Sequence, residues 1–127
     1  MNPRYDLSVD FLQRWCPGGP WVLTAISVDK KAIETRTFRD PALVLAWLEK
    51  HGDRNVYFSV NPCRYDVSKK PSREDVKELA WLHVDRDPRA GEDLQSEQKR
   101  ALSLATNPPA GIPKPTVTVF SGGGVQL

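Results

Sequence analysis

The sequence predicts an α+β fold, a mixed α/β arrangement of an antiparallel-rich sheet with flanking helices, and three observations point there. Two β-rich runs, residues 21–28 and 33–38, are joined by Asp29-Lys30-Lys31-Ala32 and read as a hairpin, which is necessarily antiparallel. Segments of helical periodicity then alternate with further β-rich runs, so helices and strands are interleaved. The 127 residues, 39% hydrophobic and 27% charged, suit one globular domain spanning 1–127, too short for two cores and too apolar for a disordered chain.

Each element follows from its own residues. Residues 8–16 place Phe11, Leu12, Trp15 and Cys16 on one helical stripe behind the capping candidates Asp6 and Ser8, and Pro17-Gly18-Gly19-Pro20 ends the helix. After the hairpin, Asp40 suits an N-cap, Pro41 the first helical position and Gly52 the C′ position, giving a helix that buries Leu43, Val44, Trp47, Leu48 and His51. Residues 55–61 alternate as a strand and Pro62 closes it. Ser72 and Asp75 form a capping box, and Val76, Leu79 and Ala80 predict a short helical turn leading into a strand over 80–87. Residues 92–106, with Leu94, Ala101, Leu102 and Ala105 on one side, make an amphipathic helix. The proline-rich stretch 107–115 is an extended connection, and residues 116–120 are a strand. Helix 92–106 then acts as a crossover bringing strands 80–87 and 116–121 near one another.

Composition narrows the class. No apolar run approaches the roughly 20 residues that cross a bilayer, and the N-terminus lacks the basic-then-apolar order of a signal peptide, so a cytoplasmic protein with no membrane partner is expected. Cys16 and Cys63 stand alone, which excludes a zinc knuckle and predicts reduced structural thiols. A net charge of +2 permits nucleic-acid binding without requiring it, and the segment from Arg64 to Lys77 carries five basic residues against three acidic ones. Trp15, Trp21, Trp47 and Trp81 follow buried-face periodicity and read as core.

Chemistry concentrates in two places. Along the stretch Leu79-Ala80-Trp81-Leu82-His83-Val84-Asp85-Arg86-Asp87-Pro88 the apolar run reads as a strand entering a core, and Pro88 marks its end. Side chains alternate along a strand, so Asp85 and Asp87 share a face with Cα atoms roughly 6.6 Å apart, a spacing that a Mg²⁺ or Mn²⁺ can bridge. His83 shares that face. Asp before Pro is equally a common turn initiator, and exposed acids at strand ends are ordinarily solvated. The second place is Ser121-Gly122-Gly123-Gly124-Val125-Gln126, where consecutive glycines remove every Cβ and let backbone N–H groups approach a phosphate. A glycine-rich hairpin turn without a ligand is the plainer alternative, and neither a Walker loop nor a dinucleotide fingerprint is present. Together, a strand ending in D-x-D, a helix, and a strand ending in the glycine turn place metal ligands beside a phosphate cradle, an arrangement suited to nucleoside triphosphate chemistry.

His83-Val84-Asp85-Arg86-Asp87 resembles motif I, and Ser121-Gly122-Gly123-Gly124-Val125-Gln126 motif II, of the archaeo-eukaryotic primase superfamily, in particular the primase-polymerase and RepB-like primase domains of phages, plasmids and mobile elements. The likeness extends through Trp21-Val22-Leu23-Thr24-Ala25 and Asn55-Val56-Tyr57-Phe58-Ser59-Val60-Asn61-Pro62. It implies a core related to the RNA-recognition-motif fold that joins nucleotides on a DNA template by a two-metal mechanism. Asp85 and Asp87 would be the catalytic metal ligands, while Ser121, Gly122, Gly123, Gly124 and Gln126 would meet the nucleotide phosphates. Single-stranded DNA, nucleoside triphosphates and a fused or separate helicase are the partners it implies. In most of the superfamily histidine stands where this chain has Gln126, which can donate a hydrogen bond but brings no charge; either the phosphate grip is weaker or a nearby arginine compensates, with Arg64 and Arg86 as the candidates. A third carboxylate on a later strand has no counterpart, so the chain is expected to be the N-terminal part of a catalytic domain, incomplete at its C-terminus and weak or inactive alone. Two other functions fit the residues: a non-catalytic nucleic-acid-binding module of a replication protein, and a metal-dependent hydrolase or oxygenase using His83, Asp85 and Asp87.

Overall fold

The computed structural model describes residues 4–120 and 124–127. It is of the α+β class, with three α-helices and two three-stranded antiparallel sheets. Chain contacts divide it into two compact units, residues 1–81 and 82–127.

In the first unit, α1 (Tyr5–Trp15) begins earlier than its sequence signals suggest. Asp6 lies inside its first turn and is paired with Arg4, so Arg4, without a side-chain cap, is the flanking residue. The hairpin forms, with its first strand two residues shorter than expected because Ser27 and Val28 belong to the turn: β1 (Trp21–Ile26) pairs antiparallel with β2 (Ile33–Phe38), from Trp21 opposite Phe38 to Ile26 opposite Ile33. Its turn uses Lys30 at φ +61°, and Asp29 accepts from Ser27 Oγ and the Lys31 N–H. Helix α2 (Pro41–Lys50) is capped by Asp40, whose carboxylate accepts from the Ala42 N–H at 2.9 Å. Gly52 follows the C-cap His51, and a Cβ there would lie 2.7 Å from the Tyr5 hydroxyl, so a larger residue would have to displace the Tyr5 side chain.

Alternation along β1 turns Trp21, Leu23 and Ala25 toward α1 and α2, where they join Leu12, Phe38, Val44, Trp47 and Leu48 in the core. Of the expected α2 stripe, Leu43 is half exposed and the other four residues are buried. His51 donates from Nδ1 to the Trp47 carbonyl at 2.8 Å, and its Nε2 lies 2.7 Å from Glu34 Oε2. That contact holds the Glu34 carboxyl below its usual range. Strand β3 (Asn55–Phe58) adds to the free side of β1 and stops three residues short of the expected end.

Residues 62–81 differ most from expectation. The capping box is present, Ser72 with Asp75, on a single 3-10 turn at Arg73–Asp75. No helical turn follows among residues 76–80: Val76 forms a β-bridge with Cys63, and the Lys77 N–H donates to the Pro62 carbonyl, which keeps the chain extended. Cys16 and Cys63 are both free thiols.

The second unit contains β4 (Asp85–Arg86), α3 (Leu94–Thr106), β5 (Val119–Phe120) and β6 (Val125–Gln126), with sheet order β4-β6-β5. Two corrections apply. The strand expected over 80–87 has only two laddered residues and does not enter a core, since Leu79 and Leu82 are 76% and 87% exposed. The expected strand over 116–120 is likewise reduced to β5, and β6 rather than β5 is the neighbour of β4. Helix α3, N-capped by Asp93, buries Ala101 and Ala105 as expected, whereas Leu94 and Leu102 remain substantially exposed. No helix of the described residues is long and apolar enough to cross a membrane.

Candidate functional site

The antiparallel register of β4 and β6 brings the two sequence motifs together. The Val84 N–H donates to the Leu127 carbonyl at 2.8 Å and the Leu127 N–H returns to the Val84 carbonyl at 2.9 Å. Asp85 then stands opposite Gln126, and Arg86 opposite Val125. Because Val84 and Leu127 exchange both bonds, Asp85 and Gln126 form the intervening non-hydrogen-bonded pair, with Cα atoms about 4.5 Å apart and side chains on one face. The next step of the same register sets Asp87 against Gly124. A Cβ built on Gly124 would collide with the Arg86 carbonyl oxygen and lie 3.2 Å from Asp87 Oδ1. Gly124 is therefore demanded by space: its bare Cα is what lets the Asp87 strand come so near.

Period-two alternation sorts the remaining candidates. Asp85, Asp87 and Gln126 occupy one face, while Arg86 and Val125 occupy the other. Val125 is fully buried on the strand against which α3 packs. The acidic face is thus the one turned away from Val125, and Asp85 and Asp87 are exposed on it. None of the ion pairs among the described residues uses either carboxylate. Arg86 does not share their face.

His83 is exposed just beyond the ladder, and no group of three or more His, Cys, Asp or Glu side chains is gathered for a metal among the described residues. His83, Asp85 and Asp87 are accordingly not assembled as a three-ligand centre. Ser121, Gly122 and Gly123 lie outside the described residues; the strands that flank them, β5 and β6, pair antiparallel with Phe120 opposite Val125. Arg64 belongs to the first unit, where its Nε donates to the Glu74 carbonyl at 3.2 Å and its backbone N–H to the Asp75 carbonyl.

Sequence reasoning overlooked Glu97. This α3 residue is 5% exposed, and its Oε1 accepts from Arg89 Nη2 at 2.7 Å and Nε at 3.0 Å, while Oε2 accepts the Arg89 backbone N–H at 3.0 Å. Hydrogen bonds from the Arg89 guanidinium and then its backbone N–H hold the Glu97 carboxyl down at about 2. A signal was available, because Glu97, Ala101 and Ala105 stand four residues apart along the buried row of α3.

The first unit has a cavity of its own, about 210 Å³, walled by residues that include Trp15, Trp21, Phe58, Val60 and Trp81. Its walls satisfy one another. Trp15 and Trp81 stack at 4.4 Å, Trp15 Nε1 donates to the Val60 carbonyl, Trp21 Nε1 donates to the Cys16 carbonyl, and the Asn61 amide bonds both the N–H and the C=O of Trp81. Of the four tryptophans expected in the core, Trp21 and Trp47 are buried, whereas Trp15 and Trp81 are half-buried against each other at the cavity wall.

Of the candidate residues named from sequence, the structure brings Asp85, Asp87, Gly124 and Gln126 to one face. Compared with known family models, curated proteins and solved structures, the chain matches none.

Proposed function

We propose that the face formed by Asp85, Asp87, Gly124 and Gln126 binds a divalent cation together with the phosphates of a nucleoside triphosphate. On this reading the chain contributes that face to template-dependent nucleotidyl transfer of the primase-polymerase kind, on an RNA-recognition-motif-like core. The carrying observation is the β4–β6 register, which sets Asp85 opposite Gln126 and brings Asp87 up against Gly124, where only a residue without a Cβ fits.

The donor chemistry fits a hard cation. Carboxylate oxygens are what Mg²⁺ and Mn²⁺ prefer, and Mg²⁺ in phosphate chemistry commonly takes one or two carboxylates and fills its remaining positions with water and phosphate oxygens. When bound, such an ion would neutralise charge on phosphate oxygens. The chain's own residues do the rest. Asp85 and Asp87 repel a bare triphosphate, so nucleotide binding is conditional on the cation. The Gln126 amide, beside Asp85, can donate to a phosphate oxygen. Arg86, on the opposite face, does not replace the missing positive charge there.

Calorimetric titration tests the proposal. Mn²⁺ should give a saturable signal that Asp85→Asn abolishes, and the heat from adding a nucleoside triphosphate should require Mn²⁺. The proposal fails if Asp85→Asn leaves the Mn²⁺ isotherm unchanged, or if the nucleotide binds equally without the metal. Binding of single-stranded DNA with no response to metal or nucleotide would support a non-catalytic nucleic-acid-binding module instead.

A further inference from the structure

Strand β4 has two residues and is followed at once by Asp87-Pro88-Arg89, so its own ladder cannot fix where Asp87 points. Something must hold the strand's exit. Upstream, the Val84–Leu127 pair ties the chain to β6. Downstream, Pro88 fixes one backbone angle, and the next residue, Arg89, is gripped twice: its backbone N–H by Glu97 Oε2 at 3.0 Å and its guanidinium by Glu97 Oε1 at 2.7 and 3.0 Å. Glu97 itself is buried in α3, whose backbone is held by its helix and by the Asp93 cap. Arg100 Nη1 adds a contact at 3.6 Å to Glu97 Oε2.

A buried carboxylate that takes two guanidinium N–H bonds on one oxygen and a backbone N–H on the other is satisfied and geometrically specific. The backbone bond matters most here. A side-chain pair alone would tether only a flexible guanidinium, whereas the N–H bond fixes the Arg89 peptide plane and, through the stiff Pro88, the Asp87 carbonyl end.

We infer that Glu97 is a positioning residue for the Asp87 carboxylate, holding it against Gly124 by clamping Arg89 from helix α3. The inference rests on the proposed cation site, and its effect is of the kind that outer-shell partners of metal ligands exert, about 10- to 100-fold in affinity. Glu97 touches neither nucleotide nor cation in this arrangement; it acts only through the chain segment it grips.

The test compares Mn²⁺ affinity by calorimetry in the full chain and in Glu97→Ala, Glu97→Gln and Ala105→Gly. Ala105→Gly weakens α3 at a buried position without touching Arg89, and it serves as a control for loss of stability alone. Glu97→Ala should weaken Mn²⁺ at least tenfold, Glu97→Gln, which can still accept from the Arg89 N–H, should recover part of that loss, and Ala105→Gly should bind as wild type wherever it is folded. Amide hydrogen exchange at Arg89 should accelerate in Glu97→Ala and not in Ala105→Gly. If wild type binds Mn²⁺ and Glu97→Ala binds it equally well, the positioning role is overturned while the cation site stands. If wild type binds no Mn²⁺, the cation site falls, and the positioning role is then decided by the Asp87 carboxyl ¹³C resonance: a shift in Glu97→Ala absent from Ala105→Gly supports it, and an unshifted resonance overturns it.

Discussion

Replacing Gly124 with alanine is the sharpest probe of the facing arrangement. The added Cβ would run into the Arg86 carbonyl oxygen, a backbone atom that cannot rotate aside, with Arg86 C and Asp87 Oδ1 each at 3.2 Å. Relief requires β4 and β6 to separate at the Asp87 end. Forcing one methyl into a closed contact costs about 1–3 kcal/mol, which corresponds to about a 5- to 150-fold increase in local opening. The amides of Val84 and Leu127, each bonded to the other's carbonyl, report that opening directly by hydrogen exchange. Both should exchange faster by a factor in that range in Gly124→Ala. The Ser59 amide, which donates to the Val22 carbonyl in the first unit, provides the reference. Calorimetry on the same variant should show Mn²⁺ binding weakened or lost, because the Asp87 carboxylate moves with its strand. Wild-type exchange rates at Val84 and Leu127 would show that Gly124 does not abut the Asp87 strand, and the proposed site would lose its basis.

Two further predictions concern the scaffold. Glu97 has a folded-state value of about 2 against an ordinary 4.5, so its contribution to stability is complete above about pH 4.5 and is lost as pH falls from there through about 2; urea unfolding should show the gap between wild type and Glu97→Gln narrowing over that interval, and a gap independent of pH would contradict the assignment. Asp40→Ala removes the cap that accepts from the Ala42 N–H and should cost about 1 kcal/mol of stability, while Asp40→Asn should cost much less; equal losses in chemical denaturation would count against capping as the cause.

The parts of the fold that were legible in the sequence are those whose hydrogen-bonding is local. Helix α2 is announced by Asp40, Pro41 and Gly52, and the hairpin by two β-rich runs and a short polar link, because caps and turns are satisfied within a few residues. The stretch 79–87 was misleading for the opposite reason. Its apolar run looks like a core strand, but the Asn61 side chain, twenty residues away, occupies both the N–H and the C=O of Trp81, so no ladder runs through that residue; the first β6 bonds come at Val84. The bridge of Val76 to Cys63 cancelled a helical turn in the same way. For the site, the shared face of Asp85 and Asp87 followed from period two alone. That β6 would be their neighbour, and that a buried glutamate would grip Arg89, depended on tertiary pairing that spacing does not encode.

Asp85 lies on the two-residue strand β4 and Asp87 just past its end, so the placement of both acids depends on what surrounds so short a strand. Both side chains are exposed, so water and salt screen much of their mutual repulsion. Average strands have 5–6 residues to absorb such a push, and β4 has two. The repulsion is opposed from three sides: by the Val84–Leu127 pair before the acids, by the close fit of Gly124 beside them, and by the Glu97 grip on Arg89 after them. A cation changes the balance, because it turns the same repulsion into shared coordination. The close fit of Gly124, the open acidic face and the buried clamp are thus mutually consistent when the two carboxylates are read as a cation site held ready before its ligand arrives.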